Sequence, residues 1–140
     1  MSKEQKILQV DNEQDILEFL SYNFSKNIFD VFKANNWLER IIKAELELPH
    51  LIISAILIPE MDGIEMCKTI RKIPNLKQVP FLFLSAVSDD YKVLHARLSG
   101  ADQFVSKPIK FEYLLKIVNE LLEGEEINMQ TKKIKCNAIN

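Results

Sequence analysis

Glycine is scarce in this chain, with three among 140 residues. There is no G-x-x-x-x-G-K-[ST] loop to cradle a nucleotide phosphate and no G-x-S-x-G elbow to present a serine, so NTPase and serine-hydrolase chemistry find no support. Cysteine is nearly absent too. Cys67 and Cys136 lie far apart with no C-x-x-C spacing, which argues against a disulfide framework and reads as reduced thiols in the cytoplasm. The two histidines, His50 and His95, are isolated from each other and from the cysteines, so no zinc site is expected. No apolar run approaches the ~20 residues of a spanning helix, and the polar N-terminus lacks the pattern of a signal peptide. Charge of either sign is not in excess: 18 basic against 20 acidic residues gives a net charge of -2, with no global pull toward nucleic acid or an anionic membrane. The cluster Lys132, Lys133 and Lys135 reads as part of a solvated linker.

What the chain does have is a five-fold alternation of short apolar runs with helical patterns. Ile7–Val10 reads as a strand, followed by a stripe of Ile16, Leu17, Phe19, Leu20 and Phe24. Phe29–Lys33 gives a second strand, and Leu38, Ile41, Ile42 and Leu46 a second helix that Pro49 breaks. Leu51–Ile58 is apolar nearly throughout, as a central parallel strand covered on both faces must be. Ile64, Cys67 and Ile70 place a third helix after the Asp62-Gly63 turn. Pro80–Ser85 gives a fourth strand, and Asp89 with Asp90 suits the positive end of a fourth helix. Phe104-Val105 is a brief fifth strand, and Phe111, Leu114, Leu115, Val118 and Leu121 recur as one face of a final amphipathic helix.

This order predicts an α/β fold, a flavodoxin-like doubly wound (βα)5 sandwich with a parallel sheet in the order 2-1-3-4-5. Ligand crevices in such sheets lie outside the carboxyl ends of the strands, and Asp11, Asn12, Ala55, Ser85 and Lys107 all fall there. The domain is expected over residues 5–123. Residues 124–140 read as a linker or tail, either a frayed end or the approach to an output domain beyond residue 140.

Several motifs in order carry a resemblance: Val10-Asp11 after the first strand, Pro59-Glu60-Met61-Asp62-Gly63 after the third, Ser85-Ala86 after the fourth, and Gly100-Ala101-Asp102 with Lys107-Pro108 around the fifth. Over about Lys6–Leu122 the chain resembles the CheY-like receiver domain of two-component response regulators. In that family the third strand ends on an aspartate that a histidine kinase phosphorylates, whereas the matching position here is Ala55. The family's acidic pair after the first strand matches Asp11 and Asn12, so the usual direct metal ligand is an amide. The backbone carbonyl of Leu57 matches the remaining ligand. Magnesium wants hard oxygen donors in an octahedron, and the resemblance therefore implies a degenerate receiver with weak or absent magnesium binding and no catalytic residue.

The resemblance also assigns Lys107 to the phosphoryl group, a cis bond to Lys107-Pro108, and a switch pair to Ser85 and Phe104, with core packing the other reading of Phe104. With two acids missing, Asp11 and Lys107 are expected to form a salt bridge. Ser54 should point away from the crevice by strand alternation, and Glu13 is a candidate substitute acid. The implied interaction face comprises Lys92, His95, Leu98, Phe104, Lys110 and Tyr113 on the fourth helix, fifth strand and fifth helix. Leu98 is either exposed there or, after a register shift, buried with Arg97 outward, and Trp37 is either a partner anchor or packed on the second helix. The implied function is cytoplasmic signalling by protein–protein interaction without aspartyl phosphorylation, with a protein partner, a histidine kinase or a second copy across that face, and no membrane. Alternatives are phosphoryl acceptance through a substitute carboxylate, or small-anion sensing in the vacated pocket.

Overall fold

Five short strands, β1 (Gln5–Val10), β2 (Phe29–Ala34), β3 (Leu51–Ser54), β4 (Phe81–Ser85) and β5 (Gln103–Ser106), alternate with helices α1 (Gln14–Lys26), α2 (Trp37–Glu47), α3 (Gly63–Ile70), α4 (Asp90–Leu98) and α5 (residues 111–124). The structure is a computed structural model and describes residues 5–34, 37–57, 62–86 and 90–124. All pairings are parallel, in the order β2-β1-β3-β4-β5. The fold is thus the flavodoxin-like doubly wound sheet that the alternation predicts.

Side-chain alternation along the strands divides the core into two layers. Leu8 and Val10 of β1, Ile52 of β3 and Phe81 and Phe83 of β4 pack with Ala44 of α2, Met66 and Ile70 of α3 and Ala96 of α4. Ile7, Leu51, Ile53, Leu82 and Leu84 point the other way, onto Leu20 and Phe24 of α1 and Leu114, Val118 and Leu122 of α5. Phe24 anchors this second layer through edge-on contacts with Phe29 and Phe111, at 5.6 and 4.9 Å between ring centres. Burial of apolar area on both sheet faces, worth about 25 cal/mol per Å2, holds the two helical layers on the sheet.

Local chemistry sets the boundaries. The Asp62 carboxylate accepts the Glu65 N–H at 2.9 Å and caps α3. Gly63 donates its N–H to the Ile56 carbonyl at 2.7 Å, and glycine is required there because a β-carbon would collide with the Ala55 carbonyl oxygen. Arg71, just past α3, donates to the carbonyls of Gly100 (2.9 Å) and Val79 (2.6 Å) and pairs with Asp102 at 3.1 Å. Asp102 in turn accepts the Phe81 N–H at 2.8 Å, fastening the amino end of β4. Cys67 is buried in α3; burial pushes its thiol pKa up, against smaller lowering contributions from its contact with Ser99 and the charge of Arg71.

Three expectations need correction. The β3 strand ends at Ser54 although the apolar run continues to Ile58: Ala55 still donates its N–H to the Val10 carbonyl, but the chain then bends at Ile56, whose carbonyl accepts the Gly63 N–H. Phe19 and Leu46, assigned to core stripes, are exposed: they lie on the flanks of their helices, outside the arc that Leu17, Leu20 and Phe24, or Ala44, present to the sheet. Leu98 is 73% exposed and Arg97 is exposed beside it, so the register shift that would bury Leu98 does not occur; Ala96 takes the inward position. The readings placed on Ile58–Met61, on Asp89, on the Trp37, Leu38 and Ile42 side chains and on residues 125–140 lie outside the described residues.

Candidate functional site

The carboxyl ends of β1, β3, β4 and β5 meet in a cleft of about 180 Å3 lined by Asp11, Asn12, Glu13, Ala55, Leu57, Ser85, Ala86 and Lys107. Main-chain bonds assemble it. The Ala55 N–H donates to the Val10 carbonyl at 2.9 Å, placing Ala55 beside Asp11, and the Lys107 N–H donates to the Ser85 carbonyl at 2.9 Å, carrying Lys107 over the end of β4. The Lys107-Pro108 peptide is cis, as the resemblance implies.

Lys107 dominates the electrostatics. Its ammonium lies 3.0 Å from Asp11 Oδ2 and 3.4 Å from Glu13 Oε1. The Lys107 and Asp11 side chains are 14% and 7% exposed, while Glu13 sits on the solvent rim. The other Asp11 oxygen, Oδ1, accepts the Glu13 N–H at 2.9 Å. Both oxygens of the buried carboxylate are therefore engaged within the protein, and the expected Asp11–Lys107 salt bridge is present with Glu13 as a third member. Asn12 faces solvent, and Ala55 presents only a methyl group. Ser54 is fully buried and donates its hydroxyl to the Ala55 carbonyl at 2.7 Å, which removes it from the cleft chemistry.

Ser85 is buried at the end of β4, and Phe104 is half-buried against the α2–α3–α4 layer of the core. On the neighbouring face Lys92, Lys110, Tyr113 and Leu98 are exposed, and His95 is half-buried and tilted against Tyr91 at 4.4 Å between ring centres. Sequence reasoning missed Tyr91 and Leu94, both exposed, which extend the apolar surface of α4. It also missed Gln9 on β1. That side chain is 1% exposed, and no protein group among the described residues hydrogen-bonds its amide. A polar residue in a central parallel strand was the available signal for it.

The comparisons with known proteins decide the family. The response regulator receiver domain family matches residues 7–119. The chain belongs to the receiver domain family. Among curated relatives of this receiver, the alkaline phosphatase synthesis transcriptional regulatory protein PhoP of Bacillus subtilis is 36% identical over 131 residues, covering 93% of this chain and 53% of that protein. The phosphate regulon transcriptional regulatory protein PhoB of Rhizobium meliloti is 27% identical over 134 residues, 96% of this chain and 59% of that protein. The receiver thus spans little more than half the length of these relatives. A crystal structure of the signal receiver domain of a signal transduction histidine kinase from Syntrophus aciditrophicus superposes with a TM-score of 0.80 at 32% identity, covering 86% of this chain and 91% of that one. Receiver domains are signalling modules of two-component systems, and this chain is one of them. Among the described residues no helix is long and apolar enough to cross a membrane.

Proposed function

We propose that this receiver signals by protein–protein contact without being phosphorylated on aspartate. The observation that carries the reading is the content of the cleft: an alanine methyl at the end of β3, facing a carboxylate whose two oxygens are already bonded to Lys107 and to the Glu13 N–H. A phosphoryl acceptor needs a nucleophilic oxygen in line with the donor, and phosphoryl transfer is catalysed by positioning and charge. Ala55 supplies no such oxygen. Magnesium fits poorly as well: it needs several hard oxygens in an octahedron, and Asp11 is committed to an ammonium while Asn12 offers a neutral amide on the outside. On this reading Lys107 is the resident cation of the cleft, and no metal joins it.

Output then falls to the α4–β5–α5 face, where Lys92, His95, Leu98, Phe104, Lys110 and Tyr113 lie with the exposed Tyr91 and Leu94. Aromatic and apolar anchors of this kind dominate interface energies, and a partner protein, a histidine kinase or a second copy would dock there. The similarity to two transcriptional regulators supports a DNA-binding output module beyond residue 140 and a cytoplasmic setting. One observation favours a second reading: Glu13 reaches the cleft rim within 3.4 Å of Lys107, so it is the substitute carboxylate to examine. Anion sensing is less well supported, because Asp11 and Glu13 outnumber the single lysine among the residues lining the cleft.

The test is an amide NMR titration with magnesium and beryllium fluoride, a phosphoryl mimic that needs an acceptor carboxylate. No shifts at Asp11, Ser85, Phe104 or Lys107 are expected. Saturable shifts there that vanish in Glu13→Gln would establish the second reading instead.

A further inference from the structure

We propose that α1 is a self-association surface, through which two copies of this chain pair with their α1 helices antiparallel. Leu17, Leu20 and Phe24 turn α1 onto the sheet. Outside that buried arc Asp15, Phe19, Tyr22 and Lys26 are all exposed, the two aromatics by 52% and 61%. Their spacing of four, three and four residues keeps them on one stripe of an α-helix.

The order of the stripe names the occupant. Its spacing reads the same from either end, with an acid at one end, a base at the other and two aromatic rings between. Laid antiparallel about a two-fold axis between Phe19 and Tyr22, a second copy sets its Tyr22 on Phe19 and its Lys26 on Asp15. Each contact then occurs twice, as an isologous interface requires. A parallel pairing would set Asp15 against Asp15 and Lys26 against Lys26, so the charges select the antiparallel one. The dipole of α1 also favours an acid in the first turn and a base in the last, but it is indifferent to the aromatics between them.

The charges are available for this use. Among the described residues neither Asp15 nor Lys26 takes part in an ion pair. Lys26 is drawn onto the Tyr22 ring, its ammonium 4.5 Å from the ring centre, which holds the cation beside the aromatic pair. Aromatic anchors with a charged rim are the make-up of a protein interface. α1 packs on the sheet face opposite α4, so this contact is separate from the α4–β5–α5 face, and it does not rest on the phosphorylation reading.

One pair of 13-residue helices buries less than a standard interface, so the dimer is weak, with a Kd on the order of 100 μM. Sedimentation velocity of the whole chain at up to about 1 mM should show a reversible monomer–dimer equilibrium. Dilution should shift the amides of Asp15–Lys26 and leave Ala96 on α4 unmoved. Lys26→Glu and Asp15→Lys should each raise Kd about tenfold, since each sets like charges against one another at both ends. The double variant Asp15→Lys/Lys26→Glu should return Kd to within about threefold of the native value, because the reversed charges pair again. Phe19→Ser should abolish dimerisation over the same range, and its exposed position spares the fold. A chain that stays monomeric, association that Phe19→Ser leaves intact, or a double variant no better than the single ones would each overturn the proposal, the first leaving the stripe to a partner of different sequence.

Discussion

Arg71, at the amino ends of the strands, and Lys107, at the carboxyl ends, both join distant parts of the chain through a carboxylate, but the two cations are used differently. Arg71 spreads its planar fork over the carbonyls of Gly100, Val79 and Lys77 and over Asp102, which itself holds the Phe81 N–H. Each branch of the guanidinium is matched in direction, which is what a rigid donor fork does well. Lys107 is a point charge on a flexible stem, shared between Asp11 and Glu13 beside about 180 Å3 of open cleft. The first arrangement closes a structure. The second places an internal ion pair at the carboxyl ends of the strands, and on the proposed reading that pair stands in place of a metal, a nucleophile and a phosphoryl group.

This contrast is broken most severely at the arginine end. Arg71→Met should lower the unfolding free energy by about 3 kcal/mol in urea titration, because several carbonyls and Asp102 lose a charged donor at once. Arg71→Lys should recover less than half of that, since a single ammonium cannot face these directions together. A loss below about 1 kcal/mol would mean that water replaces the fork without penalty. At the lysine end, Ala55→Asp adds a third carboxylate to a cleft holding Asp11 and Glu13, and should cost about 2 kcal/mol without metal. Combined with Asn12→Asp it should gain a stabilisation that rises with magnesium concentration, as linkage requires. A thermal melt with and without magnesium reads both.

Gln9 sharpens the comparison from the core side. Gln9→Leu replaces a buried amide that finds no protein partner among the described residues and should raise stability by about 1–2 kcal/mol; a loss of stability would show that the amide is bonded after all. Lys107→Met should cost about 1–2 kcal/mol, because the buried Asp11 carboxylate loses its cation and keeps the Glu13 N–H.

The sheet was legible because its strands are apolar on both faces and its helices on one, so Leu51–Ser54 and Phe81–Ser85 could be placed from pattern alone. The cleft was legible for a related reason, since parallel strands bring Asp11, Ala55, Ser85 and Lys107 to a common edge wherever they are well separated in sequence. Periodicity failed at flanks: Phe19 and Leu46 satisfy a helical stripe to within a residue but sit outside the buried arc. Glu13 could be named as a candidate acid, but its pairing with Lys107 was not legible, because its approach depends on the turn in which its own N–H bonds Asp11. The Arg71 fork was unreadable, since most of its partners are main-chain carbonyls that leave no trace in side-chain patterns.

The most direct test of the central claim is intact-mass spectrometry after incubation with magnesium and a small-molecule phosphodonor, with the Asn12→Asp/Ala55→Asp variant run alongside. The native chain should show no phosphoryl adduct while the variant acquires one. A stoichiometric adduct on the native chain would contradict the account, and fragment masses would name the residue that accepts it.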